Sequence, residues 1–139
     1  MVIDASALLA ILQDEPERRA LNEAIEAADS RVMSVATFVE VSIVMEARHA
    51  AEGVRDLDLF IERAGIEVTD VTHEQGKAAR RAFARFGKGR HPAGLNYGDC
   101  FAYALAMTRS EPLLFKGDDF AKTDVLQLQP PPTPESAPE

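Results

Sequence analysis

Short, continuously apolar runs alternate along this chain with stretches whose apolar residues recur at helical spacing, and that alternation narrows the fold to one architecture class. Val2–Asp4, Arg31–Ser34, Ile66–Val68 and Leu113–Phe115 are too short for helices and are predicted strands, with Val125–Leu128 as a last edge strand. Between them the spacing predicts a short helix from Ser6, carrying Ala7, Leu8, Ile11 and Leu12. A second helix runs from Pro16 through Ala28, since proline suits a first helical turn. A third runs from Thr37 to near Ala50 with Val41, Val44 and Met45 on one face, and a fourth from Gly53 to Arg63. A basic helix starts at Thr72 or His73 and stops near Phe86, where Gly87 and Gly89 follow. An alanine- and aromatic-rich helix then spans Asn96 to Arg109. Strands alternating with helices favour an α/β fold, a parallel sheet covered on both faces.

A chain of 139 residues organised this way is one domain, residues 1–128, followed by a proline-rich segment, 129–139, that lacks core residues and is expected to be a flexible tail. No apolar stretch approaches the roughly 20 residues that span a bilayer. The first residues already read as a strand and leave no room for a signal segment, so a cytoplasmic location and no membrane partner are expected. Cys100 is the only cysteine, which excludes an internal disulfide and a thiolate metal cluster, and it is expected in the core.

In open parallel sheets, ligands bind outside the carboxyl ends of the strands. Four acids are placed for that edge: Asp4 and Asp118 where strands end, Glu40 and Asp99 in the first turns of helices entering from it. An isolated ionised carboxylate in dry surroundings is very costly, and neighbouring carboxylates oppose each other's ionisation. A fold that gathers all four requires protons or a divalent cation, which points to metal-assisted chemistry on a phosphate. Each acid also has a local role to weigh. Asp4 can cap the next helix, unless Ser6 does so and leaves the Asp4 carboxylate facing the cleft. Thr37-Phe38-Val39-Glu40 fits the S/T-x-x-E capping box, in which Glu40 reaches back to an amide. Asn96 is the expected N-cap of the helix that Asp99 leads, and Gly98 leaves space for something to approach. Of the adjacent Asp118 and Asp119, Asp118 lies nearer the strand and is the expected fourth member, with Asp119 in reserve.

The net charge of −8 argues against a nucleic-acid partner, but its distribution argues for one. Lys77, Arg80, Arg81, Arg85, Lys88 and Arg90 fall together with no acid between Lys77 and His91. Polyanion binding depends on where positive charge lies more than on the total. Lys88, Arg90 and Arg85 are the residues expected to hold an RNA backbone. His49, His73 and His91 are dispersed and lack zinc-ligand spacing. The alternative enzyme class is an aspartyl-phosphate phosphotransferase or phosphatase with Asp4 as nucleophile, although such enzymes typically carry a second acid where this chain has Ser6. A receiver-like signalling domain is the non-enzymatic alternative, with Asp70 as phosphoacceptor and Lys116 after a late strand.

Val-Ile-Asp-Ala-Ser-Ala-Leu at the start, Ser-Val-Ala-Thr-Phe-Val-Glu-Val, Leu-Asn-Tyr-Gly-Asp-Cys-Phe-Ala-Tyr-Ala-Leu-Ala and Leu-Leu-Phe-Lys-Gly-Asp-Asp-Phe follow one another in order. Together they closely resemble the PIN-domain ribonuclease toxins of the VapC type, over all but the proline-rich tail. The resemblance implies a three-layer α/β/α sandwich with a central parallel sheet of four to five strands. It also implies a Mg²⁺- or Mn²⁺-dependent endoribonuclease site on Asp4, Glu40, Asp99 and Asp118. Asp4 and Asp99 are then expected to bind the principal cation, Glu40 and Asp118 to hold its waters or a second cation, and water activated by the cation to cleave RNA. The resemblance further implies a homodimer and a cognate VapB-type antitoxin. An arginine of that partner is expected in the cleft, and its helix on the segments Ala7 to Leu12 and Val41 to Met45.

Overall fold

The computed structural model describes residues 1–128; the expected tail, 129–139, lies outside the described residues. Its elements are β1 (Val2–Ile3), α1 (Ala5–Leu12), α2 (Arg18–Ala27), β2 (Val32–Ser34), α3 (Val35–Ala64), β3 (Glu67–Thr69), α4 (His73–Phe86), α5 (Tyr97–Arg109), β4 (Leu113–Leu114) and β5 (Gln127–Leu128). A 3₁₀ turn at Phe120–Lys122 joins the last two strands. The five strands form one parallel sheet in the order β3-β2-β1-β4-β5.

Successive residues of a strand point to opposite faces, and here the two faces build two cores. Val2, Val32 and Leu113 pack with the apolar faces of α4 and α5. Ile3, Met33 and Leu114 pack with α1, α2 and α3. The sheet is therefore covered on both sides, as the strand and helix alternation requires. Val2 pairs with Val32 on one side and with Leu113 on the other, which makes β1 the central strand. The chain builds outward from β1 to β3, then returns through α4 and α5 to lay β4 against the free side of β1. Strand order reverses there, and the crevice at such a switch point lies beyond the carboxyl ends of the two strands.

Local chemistry departs from the sequence expectation chiefly around α3. Strand β2 leads into this helix without a loop, so the N-cap is Ser34, whose Oγ accepts from the Ala36 amide at 3.2 Å. The Thr37–Glu40 capping box is consequently not formed: both residues sit inside the helix, and the buried Thr37 hydroxyl has no hydrogen-bond partner among the described residues. The two helices expected on either side of Ala50 are joined across a break at that residue (φ 54°, ψ −145°). The second segment folds back closely on the first, since a Cβ on Gly53 would stand 2.5 Å from the Met45 carbonyl oxygen.

Candidate metal centre

Asp4 follows β1 directly and is almost completely buried. It is itself the N-cap of α1: its Oδ2 accepts from the Ser6 amide at 3.0 Å and from the Ser6 hydroxyl at 2.7 Å. Ser6 thus does not replace Asp4 as cap but donates to it. The same Ser6 Oγ accepts from the Lys116 amide at 2.9 Å, which ties the loop after β4 to Asp4. Asp99 enters from α5, where it completes a capping box with Asn96: Asn96 Oδ1 accepts from the Asp99 amide at 2.9 Å, and Asp99 Oδ2 accepts from the Asn96 amide at 3.0 Å. The box fixes the aspartate at the mouth of the helix and engages only one of its oxygens.

Glu40 comes from the second turn of α3, and glycine lets it in. A Cβ on Gly98 would lie 2.5 and 2.6 Å from the two Glu40 carboxylate oxygens, so the missing side chain at Gly98 is the space that Glu40 fills. The three acids feel one another. Burial, then the charges of Asp4 and Asp99, push the Glu40 carboxyl up to about 7. Burial also raises Asp99 to about 6, offset in part by the Asn96 hydrogen bond and reinforced by Asp4 and Asp119. Asp4 is raised as well, chiefly by burial against the lowering effect of the Ser6 hydrogen bonds. No lysine, arginine or histidine offsets these charges, and among the described residues none of the three acids is in an ion pair.

The fourth acid was expected at Asp118, with Asp119 in reserve. Asp118 and Asp119 are both exposed in the loop after β4, but it is the charge of Asp119 that reaches Asp4 and Asp99. Asp119 leads the 3₁₀ turn without a side-chain cap hydrogen bond. The acids do not form a closed cage: among the described residues, no three His, Cys, Asp or Glu are arranged to hold one ion together. Two of them are held by helix caps, and like charges keep apart. The donor set nonetheless suits a hard cation such as Mg²⁺, which commonly takes one or two carboxylates and keeps several waters. Charge, and not cavity volume, marks this site; a concavity of about 630 Å³ beside Met1, Ala24 and Leu128 lies away from it.

A pH dependence of stability follows. Between the unfolded carboxylate values near 4 and the folded values near 6 and 7, the folded state holds more protons than the unfolded state. Ionising the cluster therefore opposes folding, a penalty absent below about pH 4 and complete above about pH 8. Without divalent cation, the thermal midpoint should fall as pH rises from 5 to 8, and Mg²⁺ should remove most of that fall. A midpoint that stays flat or rises in EDTA would show that the acids do not repel one another.

The basic segment divides on inspection. Arg85 donates to Asp124 Oδ2 at 2.9 Å and lies over the Phe86 ring at 4.6 Å, so its charge is largely spent within the fold. Asp124 also accepts from the Tyr103 hydroxyl. Lys88 and Arg90 are exposed and, like Arg80 and Arg81 on α4, in no ion pair among the described residues. His91 holds its own loop together, its Nδ1 accepting from the Ala93 amide at 3.0 Å. Cys100 is buried, its thiol pushed up to about 11 by burial and by Asp99, which suits a core residue. Sequence reasoning had no signal for the Arg85–Asp124 pair or for the contact between Glu40 and Gly98. No described helix is long and apolar enough to cross a membrane.

Comparison with known proteins agrees with this geometry. The PIN domain family model matches residues 1–126. Ribonuclease VapC30 of Mycobacterium tuberculosis is 50% identical over 131 residues, covering 94% of this chain and 100% of that protein. Ribonuclease VapC of Mycolicibacterium smegmatis is 53% identical over 125 residues, covering 90% and 97%. Among solved structures, the M. tuberculosis toxin VapC20, described as cleaving the sarcin–ricin loop, superposes with a TM-score of 0.75 at 12% identity, over 93% of this chain and 98% of that one. VapBC-1 of nontypeable Haemophilus influenzae gives 0.72 at 16% identity, over 92% and 96%. With the family model matching nearly its whole described length and close relatives at half identity, this chain belongs to the PIN-domain family, in its VapC branch.

Proposed function

We propose that this chain is a divalent-metal-dependent endoribonuclease, the toxin of a toxin–antitoxin pair acting in the cytoplasm, with Asp4, Glu40, Asp99 and Asp119 as its acidic centre. The observation that carries it is the set of three carboxylates at the end of the central strand whose charges reach one another, none of them in an ion pair among the described residues. Relatives at 50–53% identity are named VapC ribonucleases, which supports the same reading. A bound Mg²⁺ or Mn²⁺ supplies Lewis acidity toward the phosphate and lowers the pKa of water. Asp4 and Asp99, the two acids fixed by caps, would hold the cation, and Glu40 and Asp119 would help to hold it or its water. Ser6 keeps Asp4 Oδ2 turned inward and holds the loop of Asp119 against it. Lys88 and Arg90 grip the RNA backbone, which sets affinity and not sequence preference.

The rival readings fare worse. Asp4 is too deeply buried to serve as a phosphoryl acceptor. Asp70 follows the edge strand β3, two strands away from β1, and the Lys116 ammonium is held by Glu15 and Glu17. For the antitoxin, the expected groove needs correction. Ala7, Leu8, Ala10, Ile11, Val41 and Met45 are core residues, whereas Val39 and Ile43, one turn apart on α3, are 48% and 61% exposed. A partner helix covering Val39 and Ile43 would run past Glu40, bringing an arginine within reach of the acids. A homodimer completes the proposed assembly.

The test is cleavage of single-stranded RNA with and without Mg²⁺, alongside binding at several salt concentrations. Activity should vanish in EDTA and return with the cation. Lys88→Ala with Arg90→Ala should weaken binding and reduce the salt slope by about 1.4, the value for two lost phosphate contacts on a single strand. Cleavage that persists in EDTA would sink the metal reading, and an unchanged slope would make the segment a solvated face.

A further inference from the structure

Between α4 and α5 lies a cleft of about 370 Å³ walled by Ala79, Arg80, Phe83, Tyr97 and Phe101. Tyr97 is the first residue of α5, two residues before Asp99, and is 80% exposed. Its ring forms a T-shaped pair with Phe101, with centroids 4.9 Å apart and planes at 75°, which occupies at most one face of the exposed Tyr97 ring. Phe83 stands on the other wall, partly exposed, with the Arg90 guanidinium 5.5 Å from its ring centre. Arg80 is exposed and in no ion pair among the described residues. An apolar, aromatic floor with cationic edges is what single-stranded nucleic acid requires: bases stack on aromatic faces whatever their identity, and cations track the phosphates.

We propose that this cleft is a nucleobase subsite, in which Tyr97 stacks a base of single-stranded RNA while Arg80 and Arg90 hold the flanking phosphates. The proposal rests on the RNA-cleaving reading and adds to it a residue that positions substrate. Charge decides against a second copy of this chain as the occupant. A two-fold contact through this face would bring Arg80 and Arg90 of one copy towards those of the other, a like-charge juxtaposition. RNA brings anions and flat rings together.

The experiment uses the full chain in EDTA, so that binding is read without cleavage, and short labelled single-stranded RNAs made intact or with one abasic nucleotide at successive positions. At one position the abasic nucleotide should weaken binding to the unsubstituted chain roughly tenfold. Tyr97→Ala should weaken binding of intact RNA by a similar factor, the two losses should not add, and Tyr97→Trp should retain affinity. Tyr97→Ala should leave the salt slope unchanged, while Arg80→Ala should lower it by about 0.7. An abasic penalty of equal size in the unsubstituted chain and in Tyr97→Ala would overturn the subsite. So would a Tyr97→Ala chain that binds RNA normally but sediments as a smaller species, since the occupant would then be a second copy. Mg²⁺-dependent cleavage by the unsubstituted chain is measured in parallel. Its absence would refute the nuclease reading, whereas the binding cycle judges the subsite.

Discussion

An Asp99→Asn chain should cleave RNA about a thousandfold more slowly in Mg²⁺ while keeping its fold, because several kcal/mol of charge stabilisation at the phosphate depend on the cation it helps hold. The fold persists because the amide oxygen of asparagine can still accept from the Asn96 backbone and complete the cap. Asp4→Asn should behave alike, since asparagine is as good an N-cap as aspartate and can still accept from Ser6. Each substitution also removes one of the charges that raise Glu40, so in EDTA both chains should melt higher than the unsubstituted protein at pH 8. Circular dichroism and thermal melts separate loss of chemistry from loss of structure. Unsubstituted cleavage rates in either variant would refute the assignment.

Gly98→Ala should be nearly silent in stability and damaging in activity. The new methyl group would overlap the Glu40 carboxylate, the far end of a flexible side chain that can swing away at little cost. Swinging away takes Glu40 out of the acidic centre. A misplacement of about 1 Å can cost on the order of a hundredfold in rate, and a loss of that size is expected here. The melting temperature in EDTA should not fall, because separating Glu40 from Asp99 relieves repulsion. Full activity would mean that Glu40 is not needed where the fold holds it; unfolding would mean that the glycine serves backbone packing instead.

Much of this was legible before any tertiary contact was considered, and particular residues explain why. The apolar pairs Val2–Ile3, Val32–Met33 and Leu113–Leu114 carry no polar partner, so each strand must bury both faces. The Asn96 to Asp99 capping box is written within four residues and was readable as an N-cap. Where the reading went astray, a local pattern met a competitor that lay elsewhere. Thr37-x-x-Glu40 looks like a helix start, but Ser34 takes that role because β2 runs straight into α3. Asp118 looked nearer the strand, but Asp119 carries the charge that reaches the other acids. Arg85, expected at a phosphate, also pairs with Asp124, 39 residues further on, at an exposed position.

The sequence by itself determined the parallel α/β architecture, the helix starting at Asn96 and the presence of acids at the carboxyl edge, because those depend on side-chain periodicity and on hydrogen bonds between residues a few positions apart. Only the tertiary structure decided that Glu40 lies against Gly98, that the charge of Asp119 reaches Asp4 and Asp99, and which cations are left without an ion pair among the described residues. Those outcomes depend on how α3 and α5 pack across the end of β1, and electrostatic coupling between carboxylates falls off with a separation that no spacing along the chain encodes.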